Sequence, residues 1–116
     1  MAPRTGVAMT ALLVYSACPN VETARRIADA LVEERLAACV SMLPGMASTY
    51  RWQGAIERAE EVLLVAKTVA ERREALQARL VELHPYELPE VIAVEAAALP
   101  DYFDWIARET RADAAP

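Results

Sequence analysis

The segment His84-Pro85-Tyr86-Glu87-Leu88-Pro89-Glu90 brings together the only histidine of the chain, a tyrosine and two glutamates around two prolines. Imidazole nitrogen and carboxylate oxygen are both ligands for divalent transition ions, and copper(II) tops the affinity order for such donors. One chemical reading makes His84 the principal ligand of a Cu(II) or other divalent-cation site, helped by Glu87, Glu90 or the Cys18 thiol. One imidazole cannot fill a coordination sphere, so carboxylates, thiolates or residues from neighbouring chains would have to complete it. The other reading is structural: a histidine at a helix C-terminus bonds the last carbonyls.

A second group could line a cleft between subunits. Tyr50, Trp52 and Tyr86 would supply aromatic walls, and Lys67 would hold a small anion or pair with Glu87. The plain alternative is interface packing for the aromatics and a structural ion pair for Lys67. Cys39 belongs beside this group by position, although a buried thiol there behaves as a small hydrophobe. Cys18, before Pro19 in a turn, is expected to be the more exposed cysteine. A Ser/His/Asp series with a recognised local motif is missing, as is a phosphate-cradling loop, with only three glycines in the chain. A hydrolase with His84 as base and Glu87 as its orienter is the weaker reading, and the expectation is a non-enzymatic protein without an organic cofactor.

Chemistry at residues 84–90 depends on the elements around them. Proline fixes φ and biases the residue before it towards extended backbone, so the segment is a stiff connector. Before it, Leu76, Leu80 and Leu83 share one helical face, and Thr68-Val69-Ala70-Glu71 matches a capping box that would open that helix. After it, residues 91–94 read as a strand, and Pro100 starts a helix carrying Tyr102, Trp105 and Ile106. Earlier, the apolar run 11–15 is a strand followed by a turn. Asn20 is an N-cap with Glu22 in the first turn, and Ala24, Ile27, Ala28, Leu31 and Val32 give one apolar helical face.

Between these lie two long strands. Val40, Met42, Met46, Tyr50 and Trp52 share one parity, Gln53-Gly54 is a turn signal, and a second arm covers 55–67, so the pair reads as a β-hairpin. Pro44-Gly45 predicts a bulge or kink in the first arm. The second arm is polar up to Glu61 and continuously apolar from 62 to 66, as in a central strand. About thirteen extended residues span roughly 43 Å at ~3.3 Å each, far beyond the ~13 Å radius of gyration of such a domain. The arms should therefore project and need another chain to cover Tyr50, Trp52 and Ile56, unless they fold back at Pro44-Gly45. The order β-α-β-β-α-β-α, without its last helix, is the ferredoxin-like split βαβ arrangement of an α+β sandwich.

The totals agree with one soluble domain. The 116 residues suffice for one core, and 55% hydrophobic with 25% charged residues excludes a disordered chain. A net charge of −5 with no lysine/arginine cluster argues against a nucleic-acid partner and suits cations better. Two cysteines are too few for a disulfide scaffold. No run reaches the ~18 apolar residues of a membrane span. Residues 6–18 faintly resemble an export signal, but Tyr15, Pro19 and a single arginine fit a buried first strand better. A cytoplasmic protein is expected, with residues 1–10 a short flexible extension, 11–111 one domain and 112–116 a frayed tail.

With these pieces in order, the chain resembles the CutA divalent-cation-tolerance proteins over nearly all of residues 11–106. The resemblance rests on Cys18-Pro19 with Glu22-Thr23-Ala24, Leu36-Ala37-Ala38-Cys39-Val40, and Leu43-Pro44-Gly45. It continues through Tyr50-Arg51-Trp52-Gln53-Gly54, Glu61-Val62-Leu63-Leu64 with Lys67-Thr68, and His84-Pro85-Tyr86-Glu87 with Pro89-Glu90. It implies a ferredoxin-like fold, a homotrimer whose strands pair between subunits, and binding of divalent cations, copper above all, with His84 as the best ligand candidate. Some relatives carry a cysteine where this chain has Ser16, and others a ligand-type residue where it has Leu83. The architecture is also similar to PII-type signal proteins, which implies a rival reading: a trimeric sensor or scaffold holding a small anion or partner segment between subunits.

Overall fold

The computed structural model describes residues 9–111. The expected tail, 112–116, and residues 1–8 of the expected extension lie outside the described residues. Strand β1, Met9–Cys18, extends the apolar run in both directions. The turn at Pro19-Asn20 starts helix α1, Val21–Glu33: Asn20 is extended, and its side-chain oxygen accepts the Thr23 N–H at 2.8 Å, satisfying one of the free donors of a helix start. Ala24, Ile27, Ala28 and Leu31 are buried, whereas Val32, expected on the same face, is exposed at its rim.

Strands β2, Cys39–Trp52, and β3, Ala55–Thr68, form the long hairpin. Its turn places Gln53 at φ 51° and Gly54 at φ 84°, the two left-handed residues of a turn whose twist matches the strands. A 3-10 turn, Ala70–Arg72, leads to helix α2, Arg73–Leu83; strand β4, Ile92–Ala98, and helix α3, Pro100–Glu109, follow. The expected capping box is not formed. Thr68 is instead the buried last residue of β3, opposite Leu12, and its hydroxyl donates to the Leu36 carbonyl at 2.8 Å. Neither the 3-10 turn nor α2 has a side-chain cap.

The sheet is antiparallel with order β2-β3-β1-β4. This is the expected ferredoxin-like α+β arrangement. Helices α1 and α2 cover one face, where Val14, Cys18, Val62, Leu64 and Ala66 meet Ile27, Leu31, Leu76 and Leu80. On the other face α3 covers only one end, through Ile106 against Ala11 and Val69. Leu43, Tyr50, Trp52, Ile92 and Val94 remain exposed there.

The break at Pro44-Gly45 has a larger effect than a kink. Leu43 faces Leu63 and Met46 faces Glu61, so β2 has one residue more than β3 between those pairs. Gly45, at φ 82°, supplies the left-handed backbone that such a bulge favours. Because side chains alternate, one extra residue exchanges the faces. Val40 and Met42 lie opposite Ala66 and Leu64 on the helix side, but Met46, Tyr50 and Trp52 lie opposite Glu61, Glu57 and Ala55 on the other side. The single shared face expected for all five is thus corrected. The hairpin projects as expected: the molecule measures 55 × 30 × 22 Å, with a radius of gyration of 15.7 Å against the ~13 Å of a compact domain of this length.

One core polar group is unmatched. Ser16 is fully buried on the helix side, opposite Leu64, and its Oγ has no hydrogen-bond partner. An unsatisfied buried hydroxyl costs free energy, so Ser16→Ala is expected to stabilise the protein by about 1 kcal/mol. Thermal unfolding at fixed protein concentration checks this, and a lowered Tm would mean that the hydroxyl does have a partner.

Candidate functional site

Helix α2 ends where Pro85 forbids its continuation. The His84 N–H still bonds Leu80 O at 2.9 Å, but its backbone is extended (φ −79°, ψ 134°). That geometry turns the imidazole away from the helix and onto the end of β1. His84 Nε2 lies 2.8 Å from the Ala17 carbonyl oxygen, and the Tyr86 backbone N–H donates to Nδ1 at 3.1 Å. A carbonyl only accepts and an amide N–H only donates, so the proton sits on Nε2 and both ring nitrogens are in use. The ring therefore bonds a neighbouring strand and its own connector, not the last helical carbonyls; Leu83 O is met by Arg26 Nη2 at 3.3 Å.

Fixing His84 also fixes Tyr86, whose ring centroid is 4.8 Å away. The Tyr86 hydroxyl donates to Glu61 Oε2 at 2.7 Å. Burial, then the hydrogen bond to Glu61 and its charge, push the phenol well above its usual pKa. Cys18 Sγ lies 3.9 Å from His84 Nε2 and is fully buried, against the expectation of an exposed turn cysteine, because it closes β1 on the helix side. Burial first, then the Glu61 charge, push its thiol up to about 11.

Beside this network, on the face that α1 and α2 leave open, lies a cavity of about 650 Å³. Met46, Tyr50 and Trp52 of the hairpin form one wall, Ala17, Glu61 and Leu63 the floor, and Tyr86, Glu87, Leu88 and Glu90 the opposite rim. The structure thus brings Tyr50, Trp52, Tyr86 and Glu87 together, with Glu90 beside them. Lys67 and Cys39 do not join them. They pair with each other at the opposite end of β3, Lys67 Nζ donating to Cys39 Sγ at 3.6 Å, so Lys67 reaches neither Glu87 nor the cavity. Cys39 is half-buried rather than part of the core. His84 and Cys18 lie behind the cavity, not in its lining. Among the described residues, no group of three or more His, Cys, Asp and Glu side chains is placed to hold a metal ion.

Glu61 is the residue that sequence reasoning missed. The residue is only 8% exposed and lines the cavity. The available signal was a glutamate directly before an apolar strand, two positions from Leu63 and so on the same face.

These features define a class: a ferredoxin-like α+β protein with a long projecting hairpin and an acidic, aromatic-walled cavity at its root. The family model described as "CutA1 divalent ion tolerance protein" matches residues 12–109. A Thermus thermophilus protein named divalent-cation tolerance protein CutA is 46% identical over 99 residues, covering 84% of this chain and 96% of that one. The human protein CutA is 44% identical over 98 residues, and the match spans 83% of this chain but only 54% of the human protein. Among solved structures, CutA from Xylella fastidiosa superposes with a TM-score of 0.85 at 50% identity, covering 87% of this chain and 98% of that chain. The chain belongs to the CutA1 divalent ion tolerance family.

The thiol of Cys18 carries a pH prediction. Its folded value of about 11 lies above its ordinary 9.0, so its contribution is fully present below pH 9 and is lost as pH rises through 11. Wild-type stability should fall across that window more steeply than that of Cys18→Ala. Parallel curves in denaturant titrations at pH 8 to 11 would refute the assignment.

Proposed function

We propose that this chain works as a homotrimer that binds divalent metal ions, copper among them, and contributes to metal tolerance without catalysing a reaction. The observation that carries the cation reading is the acidic character of one cavity, whose lining holds Glu61, Glu87 and Glu90 against a single basic residue, Arg51. Membership of a divalent ion tolerance family supports the same reading. The His84–Cys18 pair does not fit a metal in this arrangement, because both imidazole nitrogens are committed and the thiol stays protonated. The exposed carboxylates of Glu87 and Glu90 fit better, with water or a neighbouring chain completing the shell, and His84 acts by fixing the connector that presents them. Copper(II) heads the affinity order for oxygen donors as well as nitrogen donors.

The trimer reading draws on the projecting hairpin and on exposed apolar residues along the open face. Strands β2 and β4 also leave both sheet edges unpaired among the described residues, and such edges are normally covered. The rival reading, a PII-like sensor holding an anion, loses its anchor because Lys67 is bonded to Cys39 outside the cavity. Among the described residues, no helix is long and apolar enough to cross a membrane. The proposal places the protein in the cytoplasm, where its two free cysteines stay reduced.

Two experiments test these points. Calorimetric Cu(II) titration of metal-free protein should show saturable binding that weakens roughly tenfold or more in a Glu87→Gln/Glu90→Gln double variant. Unchanged binding in that variant, or none in the wild type, would remove the carboxylate site. Light scattering should give three times the 12.7 kDa chain mass for the wild type and a smaller mass for Trp52→Glu, which puts an unpaired charge in the interface. A Trp52→Glu variant of wild-type mass would refute the role given to the hairpin.

A further inference from the structure

Lys67 is the only lysine among the twelve lysine and arginine residues of the chain. The difference between the two is chemical. A guanidinium keeps its proton in a protein, whereas a lysine ammonium can lose one and become a nucleophile. In the structure Lys67 is half-buried and takes part in no ion pair among the described residues. Its polar contact among them is Cys39 Sγ, 3.6 Å from Nζ. Thiol sulfur is a weak acceptor, so this contact compensates poorly for a half-buried charge.

The strand register holds the pair together. Cys39 and Lys67 are direct cross-strand partners on β2 and β3, and side chains so placed have Cβ atoms only ~4.5–5.5 Å apart. The Ser41 hydroxyl, 4.0 Å away, is the other polar neighbour of the sulfur. The pair lies at the root of the hairpin, at the opposite end from Tyr50, Trp52 and Ile56, whose cover by another chain the trimer reading requires. Cys39 is half-buried, open to a reagent of the size of water. Cys18 is fully buried on the helix side of the sheet, whereas Cys39 alternates with Val40 and so lies on the other side.

We propose that Cys39 and Lys67 form a site of reversible oxidative cross-linking, in which hydrogen peroxide converts the pair to a sulfenamide. In the first step the Cys39 sulfur attacks peroxide. The O–O bond breaks, an S–O bond forms, and the departing hydroxide leaves as water with the thiol proton. In the second, the Lys67 amine, its ammonium proton already lost to solvent, attacks the sulfenic acid sulfur. An S–N bond forms, the S–O bond breaks, and hydroxide leaves as water with an amine proton. One thiol, one amine and one peroxide thus give one sulfenamide and two waters. The two electrons lost by sulfur reduce the peroxide, and thiol reductants reverse the link. The site is independent of metal binding at Glu87 and Glu90.

Mass spectrometry of the folded protein, treated with one equivalent of hydrogen peroxide, tests this. Cys18→Ala serves as the background, because an internal disulfide would cause the same mass loss. A single chain lighter by two hydrogen atoms is expected, returning to its starting mass with dithiothreitol. After trypsin, residues 36–51, which hold Cys39, should stay joined to 59–72, uncut at Lys67. Lys67→Arg keeps the charge but lacks the amine, and should gain oxygen at Cys39 without a link. Should Lys67→Arg fail to fold, Cys39→Ser takes its place and should be cut after Lys67 with no joined peptides. Oxygen gained at Cys39 while trypsin still cuts after Lys67 overturns the proposal, as does an unreacted Cys39. So does a link that persists in Lys67→Arg, a link that carries an added oxygen, or a product of doubled mass.

Discussion

The arrangement of this molecule depends on one extra residue in β2. Side chains on a strand alternate, so an insertion of one residue moves everything beyond it to the other face. Up to Leu43, β2 gives Val40 and Met42 to the core beneath α1 and α2. Beyond the bulge, Met46, Tyr50 and Trp52 point to the face that those helices leave open. A physical reason for the exchange lies in the lengths. Helix α1, with 13 residues, spans about 20 Å, whereas the 14 residues of β3 span about 46 Å. Beyond the reach of the helices, apolar residues on their side would find nothing to pack against. Turning them over places them beside Leu63 and Ala17, where they form a cavity wall. Pro44, which has no N–H to give, sits where the ladder is already broken.

The second constraint is the strap formed by residues 84–90. His84 has the chemistry of a metal ligand, yet its two nitrogens are spent on Ala17 and Tyr86. The result links three elements that are far apart in sequence. The end of β1 holds the imidazole, the imidazole holds Tyr86, and Tyr86 holds Glu61 of β3. Bonds to an ionised acceptor are among the stronger hydrogen bonds, so the last link stiffens the others. Proline on both sides of Tyr86-Glu87-Leu88 limits how far the strap can relax.

Much of the fold was legible in the residues. The α1 cap at Asn20, the Gln53-Gly54 turn, the bulge at Pro44-Gly45 and the element order all follow from local chemistry. Other features did not. The capping-box reading of Thr68 failed because its hydroxyl finds a tertiary partner, Leu36, that no local pattern reveals. The shared parity of Val40 to Trp52 failed because a bulge was foreseen without carrying its shift through the rest of the strand. Within the candidate site, Tyr50, Trp52, Tyr86 and Glu87 were grouped from the sequence, but Lys67 was placed with them on its type rather than its position. Lys67 and Glu61 lie on the same face of β3 at opposite ends of its apolar run, and only the paired register shows which of them reaches the strap.

That separation of charges sets what the cavity can accept. Lys67 is occupied by the Cys39 sulfur at the far end of β3, so its ammonium does not neutralise Glu61. The two weak acids nearest to Glu61, the Cys18 thiol and the Tyr86 phenol, are both held in their protonated forms by burial and by the Glu61 charge itself. Negative charge on the cavity floor is therefore confined to one carboxylate, in surroundings where water cannot fully solvate it. A field of that sign, with Arg51 as the only basic group in the lining, disfavours anions in the cavity.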